Sequence, residues 1–246
     1  MKPILLHLAE VPVYSYGLAM ILGAFLGGAM AWRMRPQGLF ELSQYLNLCL
    51  LTTLGASVGA RWLGATAFGG SSGAGLSSLG VPLLVVPAIF IYCRWSGLDY
   101  RRVFDYLMPF AVLGAAFQRT FGCFLAGCCG GKATGLPWGV RFPGMAATVH
   151  PTQLYLGIGL FLTFFVFVGW VSARPGRKAL TVLACYAVVC LLVAPLRIGL
   201  GEPFWLELTP YAWVHGLIAL LSLLAATYLS WKPPKLGVAH GTTKRL

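Results

Sequence analysis

Acidic side chains are scarce in this chain: six Asp and Glu stand among 246 residues, against 18 Lys and Arg. A proton or ion relay through a membrane needs ionisable groups paired inside apolar sequence. Only Asp105 and Arg61 are candidates for such a pair, so a pump or transporter is a poor reading. Charge of either sign is rare, at 10% of residues, while 58% are hydrophobic. Soluble domains carry roughly 25% charged residues, and that class is excluded. Long Ser- or Gly-rich linkers and internal repeats are missing, so residues 1–231 read as one domain. A separate cleavable leader is not expected either. The amino-terminal positive region is minimal and no small-residue cleavage site closes the first apolar run, which reads as a retained span.

What is present is a series of apolar stretches near the ~20 residues that cross a bilayer. They are Tyr14–Trp32, Leu46–Phe68, Leu79–Trp95, Phe104–Ala126, Gln153–Val171, Ala179–Leu196 and Trp213–Leu229, the third interrupted by Pro82 and Pro87. The expected fold is an all-α, polytopic membrane protein with seven transmembrane helices. With the amino terminus outside, the inside segments hold 12 basic residues: Arg33, Arg35, Arg94, Arg101, Arg102, Arg174, Arg177, Lys178, Lys232, Lys235, Lys244 and Arg245. The outside segments hold four: Lys2, Lys132, Arg141 and Arg197. This bias places the carboxyl terminus in the cytoplasm, with residues 232–246 expected to be a disordered basic tail. The net charge of +12 then serves the anionic inner leaflet and not a nucleic acid. Gly23-x3-Gly27 and Gly55-x3-Gly59 suit close helix approach.

The polar exceptions cluster on the outer side. Arg119-Thr120-Phe121-Gly122-Cys123-Phe124-Leu125-Ala126-Gly127-Cys128-Cys129-Gly130-Gly131 ends the fourth span, and His150-Pro151-Thr152-Gln153-Leu154-Tyr155 opens the fifth. The Gly69–Gly75 loop and Arg197 belong to the same face. Arginine in hydrocarbon is expensive and marks an anionic or polar partner. Guanidinium binds phosphate through two parallel hydrogen bonds, and glycine-rich turns add backbone N–H donors. A phospholipid headgroup is therefore the expected ligand. Duller readings stand beside each residue: Arg61 could pair with Asp105 or snorkel, Tyr16 could be an interfacial anchor, His150 could cap the fifth helix, and Gly130 and Gly131 could form a helix C-cap.

Of seven cysteines, Cys49, Cys93, Cys185 and Cys190 lie in apolar spans and read as small hydrophobes. Cys123, Cys128 and Cys129 read first as small residues at a close helix approach, with a disulfide, a reactive thiol or a metal site including His150 as alternatives. Cys-x4-Cys-Cys has neither Cys-x2-Cys spacing nor a second paired cluster, so no metal and no cofactor is expected.

Tyr16-Gly17, Gly59-Ala60-Arg61, Asp105-x3-Pro109, Arg119, Trp138-Gly139-x-Arg141-Phe142-Pro143 and His150-Pro151-Thr152-Gln153-Leu154-Tyr155 together resemble the prolipoprotein diacylglyceryl transferase family, in a cysteine-bearing branch. The resemblance spans about Val13 to Arg197. It implies an enzyme of the bacterial inner membrane, with its site toward the outer face. Such enzymes move the diacylglyceryl group of phosphatidylglycerol to the thiol of a lipobox cysteine in a preprolipoprotein, releasing glycerol phosphate. On this reading His150, Arg119 and Tyr16 are catalytic. Arg61, Arg141, Arg197, Tyr186, Gly122, Gly131 and Gln153 bind substrate. The chain also departs from the family pattern. Gly73-Ala74-Gly75 stands where the family has His-Gly-Gly, Cys190 and Ala194 replace an Arg and a Glu, Leu156 replaces a Glu, and the motif after Arg119 is one residue longer. A relative that binds lipid or lipoprotein without turnover is the alternative.

Overall fold

The computed structural model describes residues 4–8, 11–67, 80–198 and 208–231. Two short strands, β1 (Ile4–Leu8) and β2 (Val11–Tyr14), pair antiparallel, with Leu8 opposite Val11 and Ile4 opposite Tyr14. The all-helical expectation did not include this ribbon. Aliphatic residues flanking a short reversal favour such pairing, but a span search by hydropathy does not see it.

Seven long helices follow among the described residues, one in each predicted stretch: α1 (Ser15–Met34), α2 (Leu42–Ala67), α3 (Gly80–Trp95), α4 (Tyr100–Phe117), α5 (Thr152–Val168), α6 (Arg177–Val193) and α7 (Pro210–Trp231). Four helical runs, Ser15–Met34, Tyr100–Ala126, Arg177–Leu196 and Pro210–Trp231, are long and apolar enough to cross a membrane by length and composition. The prolines of the third stretch do not break it. Pro82 sits in the first turn of α3, where its missing N–H has no helical partner to lose, and Pro87 is carried within the helix.

Helix α4 is the hub, packed against α1, α5 and α6, while α2 pairs with α3 and α6 with α7. Small residues make two of these contacts. A Cβ added at Gly23 would lie 3.0 Å from Phe117 Cβ, and one at Gly59 would lie 2.3 Å from the carbonyl of Gly80. The first glycine motif thus seats α1 on α4, and the second lets the α2 and α3 backbones touch.

Asp105 does not pair with Arg61. Its buried carboxylate accepts hydrogen bonds from Gly176 N at 2.6 Å and Ala179 N at 2.7 Å. It thereby closes the amino-terminal end of α6, whose first N–H groups have no helical acceptor and favour negative charge.

Candidate functional site

The site begins where α4 changes its winding. Gln118–Cys123 forms a π-turn, continued by one helical turn over Phe124–Ala126. A π-turn is how a helix absorbs one extra residue without breaking, and such turns recur at functional sites. The extra residue after Arg119 falls inside this turn. Gly157 of α5 packs directly on it, since a Cβ there would lie 1.9 Å from Thr120 Oγ1. Gly127, with φ of +74°, ends the run as its left-handed cap. Gly130 and Gly131 are therefore not the cap. Gly131 instead lies wedged between His150 and Leu196, with a hypothetical Cβ 2.6 Å from His150 O and 2.8 Å from Leu196 O.

That wedge ties three chain segments together. Gly131 N donates to His150 O at 3.1 Å, His150 N to Lys132 O at 3.0 Å and Lys132 N to Leu196 O at 2.8 Å. Arg197 is thus carried beside the cysteine turn. Two side chains from the start of α5 hold the turn from the other side: Gln153 Nε2 donates to Cys128 O and Thr152 Oγ1 to Cys129 O.

Arg119 reaches inward from the π-turn. One guanidinium nitrogen lies 3.9 Å from Cys123 Sγ, and Tyr186 of α6, Tyr211 of α7 and Cys129 stand within its electrostatic range. The Arg197 guanidinium carbon lies 5.2 Å from the centre of the Tyr211 ring. Arg197 Nε and Nη1 and the hydroxyl of Tyr211 are buried, and none has a hydrogen-bond partner among the described residues. Thr120 Oγ1 and Gln153 Oε1 share that condition. Buried polar groups are ordinarily satisfied; apart from Gln153 Oε1, which only accepts, these groups can donate, and they point to a ligand rich in acceptors.

His215 of α7 completes the wall. It is buried, its ring centre lies 4.0 Å from that of Tyr211 and 6.2 Å from that of Tyr186, and its Nδ1 is 2.8 Å from Tyr211 O. A carbonyl only accepts, so Nδ1 carries the proton and Nε2 the lone pair. Neither Tyr211 nor His215 was singled out from the sequence. The signal was there, because a histidine inside a membrane-length apolar stretch marks a functional site by default.

Other expected residues take varied places. The Tyr16 hydroxyl accepts from Gln118 Nε2 at 2.9 Å, and Gly122 packs against the Tyr16 ring. His150 Nδ1 lies 3.4 Å from the Tyr155 hydroxyl, which accepts from Trp138 Nε1 at 2.9 Å. Arg141 is exposed, donates to Ala146 O and lines a surface depression of about 570 Å³ with Thr134 and Thr148. Arg61 is exposed on α2. Arg119 and Arg197 are therefore gathered with Tyr186, while Arg61 and Arg141 stay apart from that group. The expected Gly69–Gly75 loop lies outside the described residues.

Electrostatics distinguish the cysteine turn. The neighbouring Cys123 and Cys128 thiols, followed by the charges of Arg119 and Arg197, hold the Cys129 thiol well below the usual thiol range. On the far side of the π-turn, an apolar groove of about 280 Å³ opens between α1 and the end of α4, lined by Leu18, Leu22, Leu26, Phe117, Phe121 and Leu125. A buried polar cluster and an apolar groove thus flank one helix end.

Comparison with known proteins identifies the family. The sequence profile described as prolipoprotein diacylglyceryl transferase matches residues 3–230. A phosphatidylglycerol–prolipoprotein diacylglyceryl transferase of Clostridium tetani is 28% identical, covering 77% of this chain and 81% of its own. The protein of the same name from Legionella pneumophila strain Corby is 29% identical, covering 94% and 96%. That of Methylococcus capsulatus is 27% identical, covering 92% and 95%.

Proposed function

The chain belongs to the prolipoprotein diacylglyceryl transferase family, and we propose on that premise that it transfers a diacylglyceryl group from phosphatidylglycerol to the thiol of a lipobox cysteine. The observation that carries this reading is the set of orphaned buried donors on Arg197 and Tyr211, in electrostatic range of Arg119. Two guanidiniums and a phenol suit a phosphate diester, and the groove beside Phe117 and Phe121 suits its acyl chains.

In the reaction, the acceptor sulfur attacks the glycerol carbon that bears the phosphate oxygen. A carbon–sulfur bond forms, the carbon–oxygen bond breaks, and glycerol phosphate leaves carrying the electron pair. Arg119 and Arg197 stabilise the charge that grows on the leaving phosphate, which is where preorganised donors contribute most to rate. His150, oriented by its contact with Tyr155, takes the thiol proton. Tyr16 holds Gln118 and with it the π-turn that carries Arg119.

The same reading assigns seven membrane spans to α1–α7 in a single domain, with the amino terminus outside. The start of α1, the end of α4, the start of α5, the end of α6 and the start of α7 all meet at the site, which alternating spans require. Arg33, Arg35, Arg94, Arg101, Arg102, Arg174 and Arg177 lie at the opposite helix ends, as a cytoplasmic side demands. The site then opens to the outer leaflet of the bacterial inner membrane, and Arg61 and Arg141 are left to substrate entry.

The test is incubation of the purified protein with labelled phosphatidylglycerol and a lipobox peptide. Lipidated peptide together with released glycerol phosphate is the expected result. Saturable lipid binding without either product would replace the transferase with the binding-only relative that Cys190 and Leu156 suggest.

A further inference from the structure

Cys123, Cys128 and Cys129 have no part in the reaction just described. Their sulfurs nevertheless lie within 4.8 Å of one another, and all three residues are free thiols. Cys123 comes from the buried face of the π-turn, whereas Cys128 and Cys129 come from the loop beyond Gly127. Their convergence is held in place from outside. Cys129 has a φ of +63°, and it is the one described residue other than glycine with a positive φ. That conformation is unfavourable for a side chain with a Cβ, and here it brings the third sulfur to the other two. The Cys128 thiol turns back to the carbonyl of Cys123 at 3.6 Å, and Gln153 and Thr152 hold the carbonyls of Cys128 and Cys129.

We propose that these three thiols bind one thiophilic metal ion, of the Zn(II) or Cu(I) class, at the outer end of α4. A metal about 2.3 Å from each sulfur sets the sulfurs roughly 3.8–4.0 Å apart, a contraction that side-chain rotation from the observed cluster supplies. The donor set is all sulfur, with no carboxylate in it, and soft thiolates select zinc and copper over magnesium or calcium. On binding, three thiol protons leave to solvent and three metal–sulfur bonds form, giving an anionic centre. The charge is met on the spot: Arg119 lies 3.9 Å from Cys123 Sγ, Gln118 Nε2 lies 3.2 Å from the same sulfur, and Arg197 is in electrostatic range of Cys129. Such outer hydrogen-bond donors commonly orient and tune metal ligands. The sequence spacing argued against a metal because it looked for paired Cys-x2-Cys elements. The π-turn and the left-handed Cys129 bring the sulfurs together without that spacing. The proposal shares Arg119 and Arg197 with the transferase reading but does not rest on it, since metal binding is measured without lipid.

The experiment uses the full chain in detergent, reduced, stripped with chelator and then exposed to Zn(II), Cu(I) or Mg(II). One zinc or copper per chain by elemental analysis, no retained magnesium, and a sulfur-to-metal charge-transfer band on Cd(II) substitution are expected. In the wild-type chain, zinc should protect the half-buried Cys128 and Cys129 from iodoacetamide, read by peptide mass, while leaving Cys185 labelling unchanged. Cys128→Ser and Cys129→Ser should each abolish stoichiometric binding, and Cys185→Ser should keep it. Equal labelling of Cys128 and Cys129 with and without metal would overturn the site, and this measurement needs no variant to fold. Stoichiometric metal in a triple Cys123→Ser, Cys128→Ser, Cys129→Ser chain would overturn it too. So would a disulfide between any two of the three in protein purified without reductant, or loss of binding in Cys185→Ser.

Discussion

The guanidinium of Arg197 lies 5.2 Å from the centre of the Tyr211 ring, and neither the arginine Nε nor the tyrosine hydroxyl finds a protein partner among the described residues. The ring face holds the cation while the N–H groups and the phenol stay available to a ligand. Arg197→Ala should therefore weaken retention of phosphatidylglycerol by about ten- to a hundred-fold, the value of one charge-assisted contact of about 1.5–3 kcal/mol. Tyr211→Leu, which removes the ring face and the hydroxyl, should cost less, about 0.5–2 kcal/mol. Equilibrium binding of a fluorescent phosphatidylglycerol in micelles checks both.

Arg119→Ala should also lose about ten- to a hundred-fold in lipid affinity. Arg119→Lys should recover only part of it, because an ammonium cannot make the two-pronged contact with phosphate. Full recovery by lysine in the same binding assay would mean that Arg119 supplies charge alone.

His150→Ala should lower turnover by about 10²–10⁴-fold with lipid affinity unchanged, as expected for loss of a proton acceptor. Single-turnover release of glycerol phosphate, measured beside the binding assay, separates the two effects. Full activity in this variant would move the base to Tyr186 or to a thiolate of the cysteine turn.

Asp105→Ala should destabilise the fold by about 1–3 kcal/mol, since it removes both acceptors at the start of α6. The cap lies at the helix end opposite the site, so lipid affinity measured below the unfolding midpoint should not change. A thermal unfolding series in detergent, paired with binding at low temperature, tests both halves.

Gly131→Ala should damage the site more than its small volume suggests. The new methyl would overlap His150 and Leu196, and relieving such overpacking costs about 1–3 kcal/mol. Its effect should fall on turnover as well as stability, because the two displaced segments carry His150 and Arg197. Gly135→Ala, whose methyl meets nothing within 4 Å, is the matched control.

Much of the helical frame was legible from residue types. The seven apolar stretches each became a helix because a chain in hydrocarbon must satisfy its own backbone groups. The spacing of Gly23, Gly27, Gly55 and Gly59 announced where helices touch. The Arg119 and His150 segments stood out because polar groups in such sequence have a cost that something must offset. The β1–β2 ribbon escaped notice because short strands carry no signal in hydropathy averaged over a span.

Placement was another matter. Arg61 and Arg119 look equivalent in sequence, both arginines inside apolar stretches, yet one is exposed on α2 and the other faces Cys123, Tyr186 and Tyr211. Tyr211 and His215 sit more than 90 residues from Arg119, and nothing local links them. Residue type and periodicity set the class of the protein, its helices and its polar motif, because those follow from solvation and from backbone hydrogen bonding within each segment. Which arginines share a pocket, that Asp105 caps α6, and that three thiols converge were decided only by tertiary packing. Those contacts depend on helix rotation, on the π-turn at Gln118–Cys123 and on one residue of left-handed backbone at Cys129, none of which a linear pattern encodes.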